Sequence, residues 1–233
     1  MLDFALPPRC AGCGIIVGDV HSFCTDCWGE VQFLGAGACG ICGVPLEATE
    51  ADTCARCLAA PPLIVRTRAA VAYDEISKSI ALRLKYGRKV ALAKTMARFM
   101  APLAGELPAD AVLVPVPLHR RRTWARGFNQ AALVASELSK RLGLRADTAL
   151  LKRVRPTPPL KGMSLSQRKR TVQGAFRVAQ DADLGGRTVV LVDDVLTTGS
   201  TSEACAKALQ RAGAARVELL SWARVLRPAQ LEY

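Results

Sequence analysis

Residues 189–201 read VVLVDDVLTTGST, a run of branched apolar residues followed by two acids and a turn of small residues. The four apolar residues 189–192 predict a strand that is buried on both faces, as in a parallel sheet. Asp193 and Asp194 stand where that strand is expected to end. A helical pattern follows over residues 202–209. The stretch therefore predicts an α/β fold with polar groups gathered at the carboxyl end of a central strand.

The loop after the two acids has the composition of a phosphate cradle. Backbone N–H groups at a helix start lack intrahelical partners and lie at the positive end of the helix dipole, which favours a phosphate. Gly199 lets the backbone approach a ligand closely, hydroxyls add donors, and two carboxylates can accept from two ribose hydroxyls. The stretch therefore suits a ribose 5-phosphate. The alternative is an ordinary N-capped helix, whereas a P-loop is excluded because Gly-x-x-x-x-Gly-Lys-Ser/Thr is absent.

This order of residues resembles the phosphoribosyl pyrophosphate (PRPP) motif of type I phosphoribosyltransferases. The resemblance implies that the acids hold the ribose, that the loop holds the 5-phosphate, and that magnesium accompanies PRPP. In the hypoxanthine/guanine enzymes of that class a general base stands where this chain has Thr197, so we do not expect that acceptor class here. The predicted PRPP-binding residues are Asp193, Asp194, Thr197, Thr198, Gly199, Ser200 and Thr201.

Eight of the nine cysteines form four Cys-x-x-Cys pairs within residues 1–60. Each such turn can direct two thiolates at one tetrahedral ion, so two turns complete a four-thiolate zinc site. We expect two zinc ions in structural roles, because four thiolates leave no coordination position for water. The spacing favours pairing in sequential order; interleaved pairing and a disulfide framework are the alternatives. The predicted ligands are Cys10, Cys13, Cys24, Cys27, Cys39, Cys42, Cys54 and Cys57.

Composition indicates a globular chain with an anionic partner. Half of the 233 residues are hydrophobic, yet no signal-peptide pattern and no run of 18 apolar residues occurs, so we expect a cytoplasmic protein without membrane insertion. Residues 1–60 hold 2 basic and 7 acidic residues, a net charge of −5, whereas the remainder holds 30 and 13, a net charge of +17. Within residues 120–177 there are 15 Lys and Arg against 2 Asp and Glu. This excess favours PRPP, pyrophosphate or nucleic acid as partner; the alternative is an ordinary solvated basic surface.

A second apolar strand is predicted over residues 111–117, followed by a basic loop over 118–126 and a helix over 131–142. The two prolines at the end of this strand indicate a sheet edge or a strand terminus. Under the phosphoribosyltransferase interpretation this loop binds the pyrophosphate through backbone amides and arginine cations. The predicted pyrophosphate-loop residues are Pro117, Leu118, His119, Arg120 and Arg126.

Several motifs together resemble the ComF/GntX family. They are the paired Cys-x-x-Cys turns, Leu-Lys-Tyr-Gly at 84–87, Val-Pro-Val-Pro at 114–117, Arg-Gly-Phe-Asn-Gln at 126–130 and the Asp193-Asp194 motif. The resemblance spans nearly the whole chain. It implies a double zinc ribbon over residues 1–60, a linker over 61–64 and a type I phosphoribosyltransferase domain over 65–233, with a mostly parallel sheet flanked by helices. It also implies a role in competence and DNA uptake, with single-stranded DNA and a competence helicase as partners.

The basic, proline-rich segment 150–176 resembles the mobile loop and hood of that family, although an ordinary surface loop is the alternative. Gln is usual where Leu160 stands and Asn where Thr171 stands, so the resemblance implies no specific acceptor contact from these two positions. The residues predicted to contact nucleic acid or to form the hood are Arg168, Lys169 and Arg170. We weigh three hypotheses: a PRPP-dependent transferase with an unidentified acceptor, a protein that handles single-stranded DNA, and a PRPP-sensing adaptor without catalysis.

Overall fold

The computed structural model describes residues 7–35, 37–46, 52–158, 162–180, 182 and 184–226. The strands are β1 (Arg66–Ala72), β2 (Val112–Pro115), β3 (Arg145–Ala146), β4 (Leu151–Arg153), β5 (Phe176–Val178), β6 (Thr188–Leu196) and β7 (Arg216–Arg224). The helices are α1 (Thr25–Glu30), α2 (Ala55–Ala59), α3 (Glu75–Lys85), α4 (Leu92–Met100), α5 (Arg120–Arg126), α6 (Gln130–Leu142), α7 (Leu165–Val172) and α8 (Ser200–Arg211). A 3₁₀ turn, Ala101–Ala104, extends α4.

Five strands form a parallel sheet in the order β1-β7-β6-β2-β3, and β4 pairs with β5 in a separate antiparallel ribbon. The chain leaves β2 through α6 towards β3, whereas it leaves β6 through α8 towards β7. Because the two connections run in opposite directions, the sheet has its topological switch point between β2 and β6, where open α/β sheets bind their ligands. The predicted mostly parallel α/β fold is therefore confirmed, and its order of strands indicates where to look for the site.

The core explains why β6 reads as a continuous apolar run. Val190 and Val192 face one apolar cluster, which includes Val134 of α6, and Val189 and Leu191 face another, which includes Leu209 of α8. Each face of the strand is thus covered by a helix, as in other parallel sheets. Trp222 of β7 is fully buried, and its indole nitrogen donates to the carbonyl of Ser77 at 3.2 Å.

Two boundaries differ from the sequence predictions. Strand β6 does not end before the acids but continues to Leu196, because β7 pairs with it as far as Arg224. The predicted basic loop over 118–126 is largely the helix α5, which begins after His119 and ends at Gly127 in the left-handed conformation. The segment 150–176 contains β4 and α7, so the alternative of an ordinary surface loop is not what the structure shows. Leu160 lies outside the described residues.

The zinc-ribbon segment lies along the free side of β1. The backbone N–H of Leu34 donates to Ala70 at 2.9 Å, that of Ala72 donates to Gln32 at 2.8 Å, and that of Thr67 donates to Ile41 at 2.7 Å. Phe33 and Val71 form an antiparallel bridge. The ribbon therefore continues the hydrogen-bond pattern of the sheet beyond its first strand. Within the described part of the chain, no helix has the length and apolar character that crossing a bilayer requires.

Gly43 is a position where the ribbon approaches β1 closely. Its φ is +68°, and a Cβ atom there would lie 2.3 Å from the carbonyl oxygen of Thr67. Gly37 has a similar φ of +72°, but a Cβ there would meet nothing within 4 Å. We expect Gly37→Ala to lower the free energy of unfolding by about 1–2 kcal/mol through left-handed strain alone. Gly43→Ala should cost about 1–3 kcal/mol more, because the added methyl group overpacks the contact.

Urea unfolding of the two glycine variants, followed by tryptophan fluorescence, measures this difference. The comparison isolates the contact between the ribbon and β1, since both variants introduce the same side chain at similar positive φ angles. Equal midpoints for Gly37→Ala and Gly43→Ala would show that the ribbon does not depend on its close approach to Thr67.

Candidate functional site

The eight ribbon cysteines form two clusters, one from the first two Cys-x-x-Cys pairs and one from the last two. In each cluster the four Sγ atoms lie within 4.8 Å of one another. The structure thus groups the cysteines in the predicted sequential order and not in the interleaved one. Four cysteine sulfurs in one place are the donor set of structural zinc sites, so both clusters fit a zinc ion with a closed coordination shell.

The two clusters repeat one local geometry. The backbone N–H of Cys24 donates to Sγ of Cys10 at 3.2 Å, and that of Cys54 donates to Sγ of Cys39 at 3.3 Å. Burial acts to raise the pKa of Cys10 and Cys39, but backbone N–H donors outweigh it and lower each pKa to about 6. The first thiol of each cluster is therefore ionised at neutral pH, which is the form that binds a metal.

Arginines of the sheet hold the second cluster. Arg68 of β1 donates to the carbonyls of Cys39 and Gly40 at 3.4 and 3.0 Å, and Arg224 of β7 donates to the carbonyl of Cys42. A zinc ion with four thiolates carries a net negative charge. The two guanidinium groups would therefore compensate this charge in addition to donating hydrogen bonds to the carbonyls.

The two acids of the central motif lie next to each other on β6 but on opposite sides of the sheet. Asp193 is half-buried on the α8 side, and Asp194 is 4% exposed on the α3 side. This follows from the continuation of β6 to Leu196, because successive residues of a strand alternate between faces. Strand β2 pairs with β6 only as far as Val192, so the acids stand beside the gap at the switch point.

A lysine that the sequence analysis left without a role neutralises Asp194. Nζ of Lys85, the last residue of α3, lies 2.6 Å from Oδ2 of Asp194. Burial acts to lower the pKa of Lys85, but the charge and hydrogen bond of Asp194 and the charge of Asp193 outweigh it and raise the pKa above 10.5. Lys85 therefore carries a positive charge at neutral pH, and the buried Asp194 has a charged partner.

Asp193 has a different environment. Burial, reinforced by the negative charge of Asp194, raises its pKa well above 3.8, although Lys85 and the N–H of Asp194 act in the opposite direction. That N–H lies 2.9 Å from Oδ1 of Asp193. Cys205 of α8 faces it, and burial, with the charge of Asp193, raises the pKa of the thiol well above 9.0. Cys205 is thus an inert thiol in the core, and Asp193 holds its proton to a higher pH than an exposed aspartate.

The hydroxyl-rich loop forms the start of α8. Gly199 caps the helix in the left-handed conformation, with φ +77°, and no side chain caps the helix there. The hydroxyls of Thr198 and Ser200 lie 3.0 Å apart, and Ser202 donates to the carbonyl of Gly199 at 3.1 Å. Thr197 and Thr198 are exposed, whereas Ser200 is buried. Backbone N–H groups and two exposed hydroxyls are therefore collected at one helix start, which is the arrangement that binds a phosphate monoester.

Helix α7 brings a cation to this loop. Nη1 of Arg168 lies 3.4 Å from Oγ1 of Thr197, and Nε of the same side chain donates to the carbonyl of Met163 at 2.9 Å. Lys169 and Arg170 follow on the same helix and are exposed. Thr171, where the ComF/GntX pattern has Asn, contacts Sδ of Met163 at 3.7 Å. Of the three predicted hood cations, Arg168 therefore reaches the loop directly.

A cleft of about 950 Å³ opens between α5 and β4. The predicted pyrophosphate-loop residues from Pro117 to Arg120 line it, together with Arg121, Trp124 and Lys152. Trp124 is 89% exposed, which is unusual for so large an apolar side chain. Desolvation and the charges of neighbouring arginines lower the pKa of His119 below 6.5, so this ring is neutral at neutral pH. The cleft is accordingly cationic, with one exposed aromatic ring.

Arg126, the last residue of α5, contacts Gln130 and Tyr86. Its guanidinium donates to Oε1 of Gln130 at 3.0 Å and to Oη of Tyr86 at 3.3 Å, and it stands 5.0 Å from the centre of the Tyr86 ring. The contact between Tyr86 and Arg126 joins the Leu-Lys-Tyr-Gly motif to the Arg-Gly-Phe-Asn-Gln motif. The contact between Lys85 and Asp194 joins the first of these motifs to the acidic motif of β6.

Lys85 and Trp124 are the residues of the site that the sequence analysis did not identify. Lys85 follows the buried Ala81 by four residues, so both lie on the face that α3 buries. A lysine on a buried helix face needs a charged partner. The position of Lys85 in the sequence could therefore have indicated that it pairs with a buried acid. No comparable signal pointed to Trp124, because its exposure depends on the unpredicted helix α5.

Comparison with other proteins agrees with both parts of this description. Residues 1–58 match the family model described as double zinc ribbon domain, and residues 129–230 match the one described as phosphoribosyl transferase domain. A solved adenine phosphoribosyltransferase from Thermoanaerobacter pseudethanolicus is 18% identical, with a TM-score of 0.38, over 59% of this chain and 82% of that chain.

Two curated relatives match over nearly their whole length. The DNA utilization protein YhgH of Salmonella typhi is 36% identical over 228 residues, which cover 95% of this chain and 99% of the relative. Competence protein F of Haemophilus influenzae is 30% identical over 227 residues, which cover 93% of this chain and 96% of the relative. With two four-cysteine clusters joined to a phosphoribosyltransferase-type sheet, the chain belongs to the ComF/GntX family, the group that includes these DNA utilization and competence proteins.

Proposed function

We propose that this protein binds PRPP at the carboxyl ends of β2 and β6 and acts in DNA uptake, where it handles single-stranded DNA in the cytoplasm. One observation carries the first part. Two acids, a helix start with exposed hydroxyls and a cation from α7 are collected at the switch point of the sheet, and Arg168 lies 3.4 Å from Thr197. We further propose that residues 1–60 are the zinc-ribbon domain and residues 65–233 the phosphoribosyltransferase domain.

Each group has a role in holding PRPP under this proposal. Asp193 and Asp194 bind the ribose hydroxyls, while the loop from Thr197 to Thr201 donates to the 5-phosphate through its N–H groups and hydroxyls. The basic residues at the entrance of α5, Arg120 among them, compensate the charge of the pyrophosphate. Magnesium bound to the pyrophosphate would stabilise negative charge on this leaving group.

Two alternatives differ in what happens after PRPP is bound. In a transferase, an acceptor nucleophile attacks the ribose and pyrophosphate leaves, so the site must exclude water and orient the acceptor. In an adaptor, PRPP binding changes the affinity for another protein, such as a competence helicase. Thr197 occupies the place of the general base in purine salvage enzymes of the hypoxanthine/guanine type, so a transferase of this chain must use another acceptor class.

Calorimetric titration of the zinc-loaded protein with Mg-PRPP tests the proposal. A saturable heat with one site per chain is expected. Repeating the titration with a saturating single-stranded oligonucleotide tells whether the two ligands share the cleft. Absence of any PRPP binding would refute the phosphoribosyl part. Pyrophosphate release with a set of candidate acceptors then separates the transferase from the adaptor.

The exposed Trp124 favours single-stranded DNA as the second ligand. Single strands are bound by cationic grooves in which bases stack on aromatic side chains. Trp124 is 89% exposed and lines the same cleft as Arg120 and Arg121, both of which are exposed. The tryptophan of the ribbon is different, because the Trp28 ring, although 53% exposed, packs against the ring of Phe33 with their centres 4.6 Å apart.

We expect Trp124→Ala to weaken binding of an oligothymidylate about 5- to 150-fold, because a stacked base contributes about 1–3 kcal/mol. Trp28→Ala is the matched control and should leave the affinity unchanged. Arg120→Gln should instead flatten the salt dependence, since each lost phosphate contact on a single strand removes about 0.7 from the log-log slope. Fluorescence anisotropy at several salt concentrations measures both effects, and wild-type affinity in Trp124→Ala would contradict base stacking at this ring.

A further inference from the structure

Helix α3 contacts the zinc ribbon near both of its ends and the candidate site through its last residue. At its start, Oδ2 of Asp74 accepts from the backbone N–H of Gln32 at 3.2 Å. Near its end, Arg83 donates to the carbonyls of Ala11 and Gly12, the latter at 2.9 Å. These two carbonyls belong to the turn between the zinc ligands Cys10 and Cys13. The first zinc turn and the ribose-binding region are therefore joined by a single helix.

The contact between this turn and α3 leaves no spare room. A Cβ atom on Gly12 would lie 2.6 Å from Sγ of Cys27 and 3.3 Å from Cγ2 of Ile76, which is a residue of α3. The path of the turn that carries Cys10 and Cys13 is therefore matched to the position of the helix. Because packed contacts have discrete arrangements rather than a continuous range, a change in the turn is expected to move the helix.

The end of α3 is also held by close backbone contacts. The N–H of Tyr86 donates to the carbonyl of Leu82 at 2.8 Å, and a Cβ on Gly87 would lie 2.8 Å from the carbonyl oxygen of Arg83. Lys85 stands between these contacts, with its ammonium 2.6 Å from the carboxylate of Asp194. A buried carboxylate that loses its cation is left uncompensated, so it is expected to turn away or to take up a proton.

We propose that Lys85 is a positioning residue for Asp194 and that zinc in the first cluster keeps Lys85 in place through Arg83 and α3. The inference rests on the proposed binding of PRPP and adds a role for the ribbon in that site. A consequence is that zinc and PRPP stabilise each other's binding, because coupling between two sites is reciprocal. The zinc of the first cluster would then support ligand recognition as well as the fold of the ribbon.

A matched pair of arginine variants tests the connection. Arg83→Met removes the guanidinium that joins α3 to the first zinc turn. Arg98→Met is the control, because Arg98 of α4 also donates to a ribbon carbonyl, that of Val20 at 2.9 Å, from a helix without a site residue. We expect Arg83→Met to weaken Mg-PRPP binding about ten-fold, within the usual range for coupled sites, and Arg98→Met to bind as wild type. Zinc content is measured on every sample.

The result is decisive whether or not the variant keeps its first zinc. Weaker PRPP binding in Arg83→Met supports the proposal with either zinc content, and unchanged PRPP affinity overturns it with either. Lys85 is tested by rescue: Lys85→Met should lose at least ten-fold in PRPP affinity, while Lys85→Arg, which keeps the cation, should recover most of it. Equal loss in both Lys85 variants would indicate a merely structural role and would overturn the positioning assignment.

Hydrogen exchange distinguishes failure of this proposal from failure of the proposed function, because it requires no ligand. Amides of residues 84–87 and 193–196 should exchange faster in zinc-loaded Arg83→Met than in Arg98→Met. If wild type does not bind PRPP but this difference is found, the proposed function fails and the connection through α3 stands. If exchange at both segments is the same in the two variants, the connection itself is refuted.

Discussion

Replacing both Asp193 and Asp194 by asparagine should abolish detectable binding of Mg-PRPP. Each carboxylate is proposed to accept a hydrogen bond from a ribose hydroxyl, and hydrogen bonds to charged groups contribute about 1.5–3 kcal/mol each. Loss of two such bonds therefore corresponds to an affinity at least a hundred-fold lower. Calorimetric titration with Mg-PRPP measures this loss of affinity. Asp147→Asn is the control, because the carboxylate of Asp147 pairs with Arg145 at a distance of 3.0 Å and is not part of the proposed site. PRPP binding of wild-type strength in the double variant would show that the site lies elsewhere.

The two single variants should differ in stability, although each removes one charge. Asp194→Asn leaves the ammonium of Lys85 without its partner in a buried place, which typically costs about 3–5 kcal/mol. Asp193→Asn instead removes a carboxyl group whose pKa is raised well above 3.8 by burial and by its acidic neighbour. We therefore expect a lower melting temperature for Asp194→Asn and an unchanged or higher one for Asp193→Asn. A site that is less stable than its neutral variant is common where function requires the charge.

The contribution of Asp193 to stability should depend on pH. Because the folded pKa of Asp193 lies above its ordinary value of 3.8, the folded state holds this proton more tightly than the unfolded state. The contribution of Asp193 to stability is therefore complete below about pH 3.8 and is lost as pH rises through the higher folded pKa. Asp193→Asn should flatten this part of the curve, as measured by urea midpoints from pH 4 upwards.

Cys10→Ser should remove one zinc ion and unfold the first half of the ribbon. Structural zinc contributes about 10–16 kcal/mol of apparent binding energy in small zinc modules, and the folded state of such modules depends on it. Because the structure groups Cys10 with Cys13, Cys24 and Cys27 and keeps the other four apart, the second zinc should remain. Elemental analysis should therefore find one zinc per chain instead of two, and limited proteolysis should cut the first half of the ribbon first.

Cys205→Ala is the control for this experiment, since it also removes one cysteine but leaves both clusters intact. It should retain two zinc ions. Loss of both zinc ions in Cys10→Ser would contradict independent clusters and would favour a ribbon that folds as one unit. Two zinc ions in Cys10→Ser would contradict its assignment as a ligand.

Much of the fold could be predicted because its signals are local. The apolar run before Asp193 is typical of a strand inside a parallel sheet, and paired Cys-x-x-Cys turns are typical of zinc sites. The end of β6 could not be predicted, because it depends on pairing with β7, a strand that follows it by some twenty residues. Helix α5 was missed for a related reason. Its run of arginines shows no apolar periodicity, and it is held in part by Arg122, which donates to the carbonyl of Thr157 at 3.0 Å.

The residue types of the candidate site can be read from the sequence, but the contacts of these residues in the fold cannot. The residue types at 193–201 predict binding of a ribose and a phosphate, and this stays a prediction. That Asp194 is paired with Lys85, and that Arg126 is turned towards Tyr86, depends on contacts between segments far apart in sequence. Such contacts leave a weak trace in sequence, as the lysine on the buried face of α3 shows.

The hydrogen bonds between the ribbon and β1 should protect the protein against aggregation. A strand at the border of a sheet presents unpaired backbone groups, and an apolar one invites pairing with another molecule. Here Leu34 and Gln32 occupy those groups on β1, while the opposite border, β3, is two residues long. The zinc ribbon thus serves as a protective cover, and the phosphoribosyltransferase domain produced without it should aggregate through β1.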